Sequence, residues 1–355
     1  MPSAPSVHEF PAYPASWYLF CRSSELKGRP VSKAMLGRTI VAFRTAHGEL
    51  SVLDGRCAHL GADLGCGSIA GDRLQCPYHG WQYAADGHCV KAGDGGDVPD
   101  FARQVRYPAV ERHGFVFFYY GGQPAFELPF FFGRRPEELI AGRSFRFVGE
   151  CSWFMLAGNG FDGQHFQSIH DRTLTAPAVI DGPTPYCRQM RYEARVTGTS
   201  IFDRLIRLFV GDEVRISITS WAGPFIVVTG KFRRATSYIL ISTQPLDAHR
   251  TLAEVIVFAD RSRWWLVRKL LQPLSLCLRR TFTQGFMADD HRRLAGIRYS
   301  PHTLIEADRD MIEFFDWLAS LHKRPAPIEQ STAPRDGQHA SSRGSLFCQP
   351  TGSRR

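Results

Sequence analysis

Two groups of residues in this sequence have the types and spacing to hold metal. The first is Cys57-Ala58-His59, followed after sixteen intervening residues by Cys76-Pro77-Tyr78-His79. Two thiolates and two imidazoles complete a four-ligand set. Zinc accepts such a set, and so does a [2Fe–2S] cluster with two Cys on one iron and two His on the other. The order of the ligands separates these readings. Zinc hooks usually keep Cys beside Cys and His beside His, whereas each hook here holds one of each. That order suits a cluster clamped between two loops, each loop giving one ligand to each iron. Gly61, Gly65, Gly67 and Gly80 are expected to let the loop backbones approach the sulfides.

The second group lies in Asn159 to His170, NGFDGQHFQSIH, where Asp162, His165 and His170 can face a metal. Two imidazoles with a carboxylate from elsewhere make the facial triad of a non-haem Fe(II) oxygenase, with positions left open for O2. Five steps along an ideal helix turn through about 140°. One iron between His165 and His170 therefore requires a distorted helix, for example a π-bulge. Asp162 is also a good N-cap residue, and Asn159 either touches the iron or caps the same helix. Gly158 to Gly163 fits G-x-G-x-x-G, but no βαβ unit or later ribose-binding acid accompanies it. Without a nucleotide site, electrons from NAD(P)H must arrive through a partner.

The first stretch, ending CPYHGW, resembles a Rieske iron–sulfur motif, and the N-x2-D-x2-H-x4-H stretch resembles the catalytic signature of Rieske non-haem iron oxygenases. Ala62 and Tyr78 stand where Rieske proteins of respiratory complexes carry a disulfide, so the motif is similar to the oxygenase and ferredoxin type. Cys66 and Cys89 read as small buried hydrophobes. The resemblance covers about residues 15–322, and the stretch Asp308 to Leu321 is similar to the last helix of steroid-hydroxylase-like members.

This resemblance implies a [2Fe–2S] cluster on Cys57, His59, Cys76 and His79 and a mononuclear Fe(II) on His165, His170 and a late acid. Phe286-Met287-Ala288-Asp289-Asp290 resembles the family's F-E-Q-D element, which makes Asp289 the third ligand, with Asp290 as its rival. The resemblance also implies a head-to-tail homotrimer, in which Asp162 bridges His165 and His79 of the partner subunit. A ferredoxin or flavin reductase would supply electrons. The implied activity is terminal oxygenation, hydroxylating or oxidatively demethylating a hydrophobic, polycyclic or sterol-like substrate. Desaturation or oxidative cyclisation on the same iron is the alternative, and a non-enzymatic Rieske electron carrier is the other.

The rest of the chain must position these residues. Residues 1–15 read as an irregular, proline-bearing arm. Residues 16–121 read as an all-β Rieske domain, with strands at Thr39–Arg44, Leu50–Leu53 and Gly114–Tyr120. Residues 122–144 are Gly-, Pro- and Phe-rich and read as a linker. Residues 145–323 read as an α+β catalytic domain, and the resemblance makes it a helix-grip, START-like sheet. Its expected elements are a helix over Met155–Ile169, five strands between Arg188 and Phe258, and helices over Trp264–His291 (broken near Pro273) and Ala307–Leu321. Residues 324–355 read as a disordered basic tail.

Composition limits the function classes. The 355 residues are 44% hydrophobic and 12% aromatic, which excludes a disordered chain. Nine cysteines, an odd count, favour a reducing, cytoplasmic setting. Of the net charge of +9, residues 323–355 carry +4, from six basic and two acidic residues, so the body is only mildly basic and nucleic acid is not an expected partner. The N-terminus has no basic, apolar leader pattern, and no apolar run is long enough to span a bilayer. Arg261 to Arg280 holds six basic residues, no acids, Trp264, Trp265 and several leucines. Such a segment can lie at a membrane surface.

Overall fold

The computed structural model describes residues 4–322. They divide into two compact units: one formed by residues 28–33 and 39–106, the other by residues 4–27, 34–38 and 107–322. The expected disordered tail lies outside the described residues.

The smaller unit is all β. The strand Arg38–Arg44 pairs antiparallel with Leu50–Asp54, placing Val41 opposite Leu53. A second sheet runs Ser68–Ala70, Arg73–Gln75, Gln82–Tyr83, Cys89–Lys91 in sequence order. Val41, Phe43, Leu53, Leu64, Leu74 and Tyr83 form its core, which also encloses the thiols of Cys57 and Cys76. The runs are short because a core this small is covered by single strands.

Among the described residues, the larger unit is built on a nine-stranded antiparallel sheet. Its centre is formed by the strands Cys187–Val196, Glu213–Trp221, Phe225–Phe232, Thr236–Pro245 and Thr251–Asp260, each paired with the next. The central strands read as nearly continuous apolar runs because both faces of the sheet are covered. Alternate residues go to opposite sides. Ile226, Ile241, Val255 and Val257 enter one core, while Phe225, Val227, Leu240 and Phe258 enter another.

Among the described residues, five α-helices follow one another in the larger unit: α1 (Trp153–Gly158), α2 (Gly163–His170), α3 (Ile201–Phe209), α4 (Gln272–Leu294) and α5 (Arg309–His322). The first core is roofed by α1, α2, α4 and α5. Helix α3, which is not among the expected elements, follows the strand Cys187–Val196. The single helix expected over Met155–Ile169 is two helices with a 3-10 turn, Asn159–Phe161, between them. Pro273 does not break the late helix; it occupies its first turn, after a π-helical segment at Val267–Leu271.

The boundaries differ from the expected 16–121, 122–144 and 145–323. The strand Ser16–Arg22 pairs with Phe115–Tyr120, and this small sheet belongs with the larger unit. Trp17, Leu19, Phe115 and Phe117 fill the second core against Phe225 and Val227. The expected linker is likewise packed: Leu128, Phe131 and Leu139 are buried there, and Leu139–Ala141 adds a strand beside Thr251–Asp260. The arm, too, is anchored. Phe10 stacks on Phe154 at 4.0 Å between ring centres, and Trp153 Nε1 donates to the Pro11 carbonyl at 3.0 Å.

Gly158 ends α1 against α5. A Cβ there would lie 2.6 Å from the ring of Phe315, which is fully buried and has no room to move. Alanine gains about 1 kcal/mol in helix propensity, but overpacking of about 1–3 kcal/mol outweighs it. Gly158→Ala is therefore expected to lower the thermal midpoint, measured by calorimetry, and to push α1 off α5.

Candidate metal centres

The two Cys/His hooks share one backbone design. Cys57 N–H donates to Ala62 O at 2.9 Å, and Gly61 N–H donates back to Cys57 O at 2.8 Å. In the second hook Cys76 N–H donates to Trp81 O at 2.7 Å, and Gly80 N–H to Cys76 O at 3.2 Å. Each turn closes on a glycine of positive φ, +73° at Gly61 and +72° at Gly80, which other residues adopt only with strain. Gly65 and Gly67 serve differently from expectation. Cβ atoms there would meet Ser32 Oγ at 2.2 Å and Gln75 O at 2.1 Å, so they permit close packing of the supporting strands.

The ligand types separate by depth. Cys57 and Cys76 are buried, while His59 and His79 are exposed with their Nδ1 atoms 3.1 Å apart. Paired thiols inside and paired imidazoles outside match a cluster with one iron held by two cysteines and the other by two histidines; a compact tetrahedral zinc site has no need of that layering. Burial pushes the Cys57 thiol pKa up, and the Tyr83 hydroxyl at 3.1 Å opposes it. The same hydroxyl accepts from Ala58 N–H at 3.1 Å, fixing the first hook. Trp81 stacks on the His59 ring at 4.8 Å. Cys89 is buried as expected, but Cys66 is exposed.

The second centre is assembled from α2 and α4. Asp290 Oδ1 lies 2.8 Å from Nε2 of both His165 and His170, and these three are the metal-capable cluster among the described residues. All three side chains are largely buried. Burial opposes the charged form of Asp290, but hydrogen bonds from His165 and then His170 outweigh it and hold the carboxyl below its ordinary range. Two imidazoles and one carboxylate, the three members of that cluster among the described residues, fit a facial-triad metal with open positions.

No π-bulge brings the histidines together. His170 is the last residue of α2, and Asp171 after it is left-handed at φ 49°. Arg172 secures that end: buried, it donates to His170 O at 2.7 Å and pairs with Asp203 at 2.9 Å. Phe286 stacks on the His170 ring at 3.8 Å, nearly parallel. The sequence reading missed Arg172 as a support and used Phe286 only as an alignment mark. A cation directly after the last ligand and its following acid was the available signal.

The expected third ligand, Asp289, is not at the centre. Its side chain is about half exposed and pairs with Arg292. One residue turns a helix by about 100°, and the cavity face of α4 carries Thr283, Phe286, Met287 and Asp290, spaced for one side. Asp289 points away from that face, so its rival Asp290 takes the position. Asp162 caps α2 by accepting from His165 N–H at 2.9 Å, and Asn159 lines the same cavity from the 3-10 turn. Beyond the metal-capable end the cavity wall is apolar, including Ile216, Val228, Ile239, Phe232 and Phe282.

A family model for the Rieske [2Fe-2S] domain matches residues 16–102. Aminopyrrolnitrin oxygenase PrnD of Pseudomonas fluorescens is 34% identical over 179 residues, covering 46% of this chain and 47% of that protein. Cholesterol 7-desaturase nvd of Drosophila melanogaster is 32% identical over 170 residues, 46% of this chain and 40% of its own length. The chain thus spans under half of the curated relatives it matches. Solved structures cover far more. NdmA of Pseudomonas putida CBB5 with caffeine superposes with TM-score 0.68 over 90% of this chain and 97% of that chain, at 22% identity. Dicamba monooxygenase bound to dicamba superposes with TM-score 0.66 over 89% of this chain and 100% of that chain, at 18% identity. The chain thus carries a Rieske [2Fe-2S] domain and is similar to members of the Rieske oxygenase family. Its fold, a Rieske domain with a mixed α and β unit on an antiparallel sheet, is that family's. The Rieske domain and the likeness to these oxygenases imply a [2Fe–2S] cluster and a mononuclear iron, and both donor sets described above fit. Among the described residues no helix is long and apolar enough to cross a membrane.

Asp290→Asn is expected to lose the mononuclear iron, taking iron from about three to about two per chain with labile sulfide unchanged. Asp289→Asn is expected to keep all of it. Metal and sulfide analysis of the two variants checks the assignment; equal iron in both would remove Asp290 from the ligand set.

Proposed function

We propose that this protein is a terminal oxygenase that uses O2 and relayed electrons to hydroxylate or oxidatively demethylate an apolar, polycyclic or sterol-like compound. The carrying observation is the apolar cavity that ends at His165, His170 and Asp290. A pure electron carrier has no use for a buried triad at the end of an apolar pocket. The likeness to cholesterol 7-desaturases and to a tert-butanol monooxygenase / tert-amyl alcohol desaturase subunit supports a second reading, desaturation of the same class of substrate.

When bound, the cluster supplies electrons singly and the mononuclear iron supplies O2 activation. The chain's own residues do the rest. His59 and His79 are exposed on the smaller unit, which leaves them accessible to a ferredoxin or flavin reductase. Cys57, Cys76 and Tyr83 hold the inner side away from water. His165, His170 and Asp290 occupy one side of the mononuclear centre and leave the cavity side for substrate. The apolar wall excludes water and orients a C–H bond by shape, since it offers few polar handles. Asp162 accepts from the backbone N–H of His165 with one oxygen. In a head-to-tail homotrimer its second oxygen would accept from His79 of the partner subunit and so join that imidazole to the helix that carries His165. Asn159 stands at the cavity end as a further polar contact for the reacting centre. The exposed apolar and basic segment near Trp264 supports peripheral attachment of a cytoplasmic protein to membrane.

The test begins with anaerobically purified protein, chemically reduced, then given O2 and a panel of apolar polycyclic compounds. The expected outcome is one hydroxylated, demethylated or desaturated product for every two electrons consumed. Reoxidation with no product from an iron-replete sample would leave the electron carrier as the reading. Asp162→Asn is expected to keep cluster and iron yet lose most turnover, and normal turnover would end the bridging role.

A further inference from the structure

Helix α3 turns its apolar stripe away from the core. Ile201, Leu205, Leu208 and Phe209, spaced i, i+4, i+7, i+8, are all exposed, while Asp203 and Ile206 face inward. An amphipathic helix normally buries that stripe. Its C-terminal end is tied to the turn after the strand Phe225–Phe232: Arg234 N–H donates to Val210 O at 3.1 Å, and Arg234 Nη1 to Leu208 O at 3.2 Å. On its other side the same turn meets α4, where Arg279 Nη1 donates to Thr236 O at 2.7 Å.

The outer face of α4 and the segment before it are apolar as well. Leu271, Leu274 and Leu278 form an exposed stripe, preceded by Trp264 and Trp265 at 76% and 60% exposure. Basic side chains surround these residues, with Arg261, Arg263, Arg268 and Lys269 in the segment and Arg233 and Arg234 in the turn. No acid occurs from Arg261 to Ala288. Two apolar stripes thus flank one basic turn. The cavity reaches the same place, because Phe232 and Ser237 bracket that turn and Phe282 follows Leu278 by one helical turn, and all three line the cavity.

We propose that this rim docks on an anionic lipid bilayer, with α3 and the Leu271–Leu278 stripe in the acyl–headgroup boundary and the apolar end of the cavity opening against the lipid. The positive charge selects the occupant. Anionic headgroups neutralise the arginines and lysine, whereas an isologous contact with a second copy sets like charges against each other. Tryptophans beside basic residues are the usual composition of a membrane-interface segment. The proposal rests on the reading above only in taking the cavity's occupant to be apolar and drawn from the membrane.

The test is flotation of the full, iron-loaded chain with vesicles of phosphatidylcholine alone or mixed with phosphatidylglycerol, at low and high salt. The expected result is binding to the anionic vesicles at low salt, weakened by high salt. L274E/L278E on α4 and L208E/F209E on α3 are each expected to reduce partitioning about tenfold or more, with iron, labile sulfide and circular dichroism unchanged. These variants keep the basic tail, so tail-driven binding predicts no loss in either, and that result would overturn the proposal. Absence of flotation at low salt would overturn it too, as would light scattering showing the native assembly dissociated by the same substitutions without any vesicle binding. Flotation needs neither substrate nor O2. Failure of the native chain to float while it oxidises a detergent-dispersed substrate therefore sinks the docking surface alone, and the converse sinks only the oxygenase reading.

Discussion

One carboxylate oxygen organises the larger unit: Oδ1 of Asp290, 2.8 Å from two imidazole nitrogens that come from a helix more than a hundred residues earlier. Burying an acid is costly unless it is paired, and here the two histidines outweigh the burial. A metal would take over the same atoms. The requirement reaches outward. His170 must end α2 to turn its ring back toward His165, so Asp171 is left-handed and Arg172 ties down the last turn. Asp290 must face inward, which sets the rotation of α4 and with it the cavity wall of Phe282, Phe286 and Met287.

The smaller unit solves a different problem with a repeated device. Its two hooks have matching hydrogen-bonded turns, yet histidine sits two residues after Cys57 and three after Cys76. The extra residue, with Pro77 and Tyr78 between the ligands, makes the hooks unequal. Tyr83 contacts the first thiol, and Trp81 stacks on His59. The environment of a cluster held there is asymmetric by construction, and hydrogen bonds to ligand sulfur are one of the means by which a protein sets a cluster's potential.

What the sequence made legible follows the range of the interactions. The hooks and the His165/His170 pair lie in short stretches, so their residue types and spacing identified them. The central strands were legible because period-two burial on both faces yields continuous runs such as FIVV and VIVF. Asp289 against Asp290 could not be settled by a motif with only Phe286 and an acid in common. The choice depends on the rotation of α4, set by packing on the sheet and by Phe286 on His170. The domain boundary was hidden for a similar reason. Trp17 and Phe117 look like Rieske strands locally, and only their contact with Phe225 and Val227 places them in the larger unit. Helix α3 was missed although Ser200 caps it and its apolar residues keep helical spacing; what that pattern does not say is which way the stripe faces.

The same inversion of apolar faces recurs in α4. That helix is apolar toward the cavity, through Phe282, Phe286 and Met287, and apolar toward the outside, through Leu274 and Leu278, which continue from Leu271. A helix apolar on both sides is ordinarily enclosed. The two faces are offset along the axis: the outer stripe occupies the first half and the metal-facing residues the second. Inward contacts run the whole length, from Gln272 and Leu276 to Thr283 and Leu294. Leu274 and Leu278 lie on the side turned away from those contacts, so a single helix carries an exposed apolar stripe near its start and a buried acid near its end.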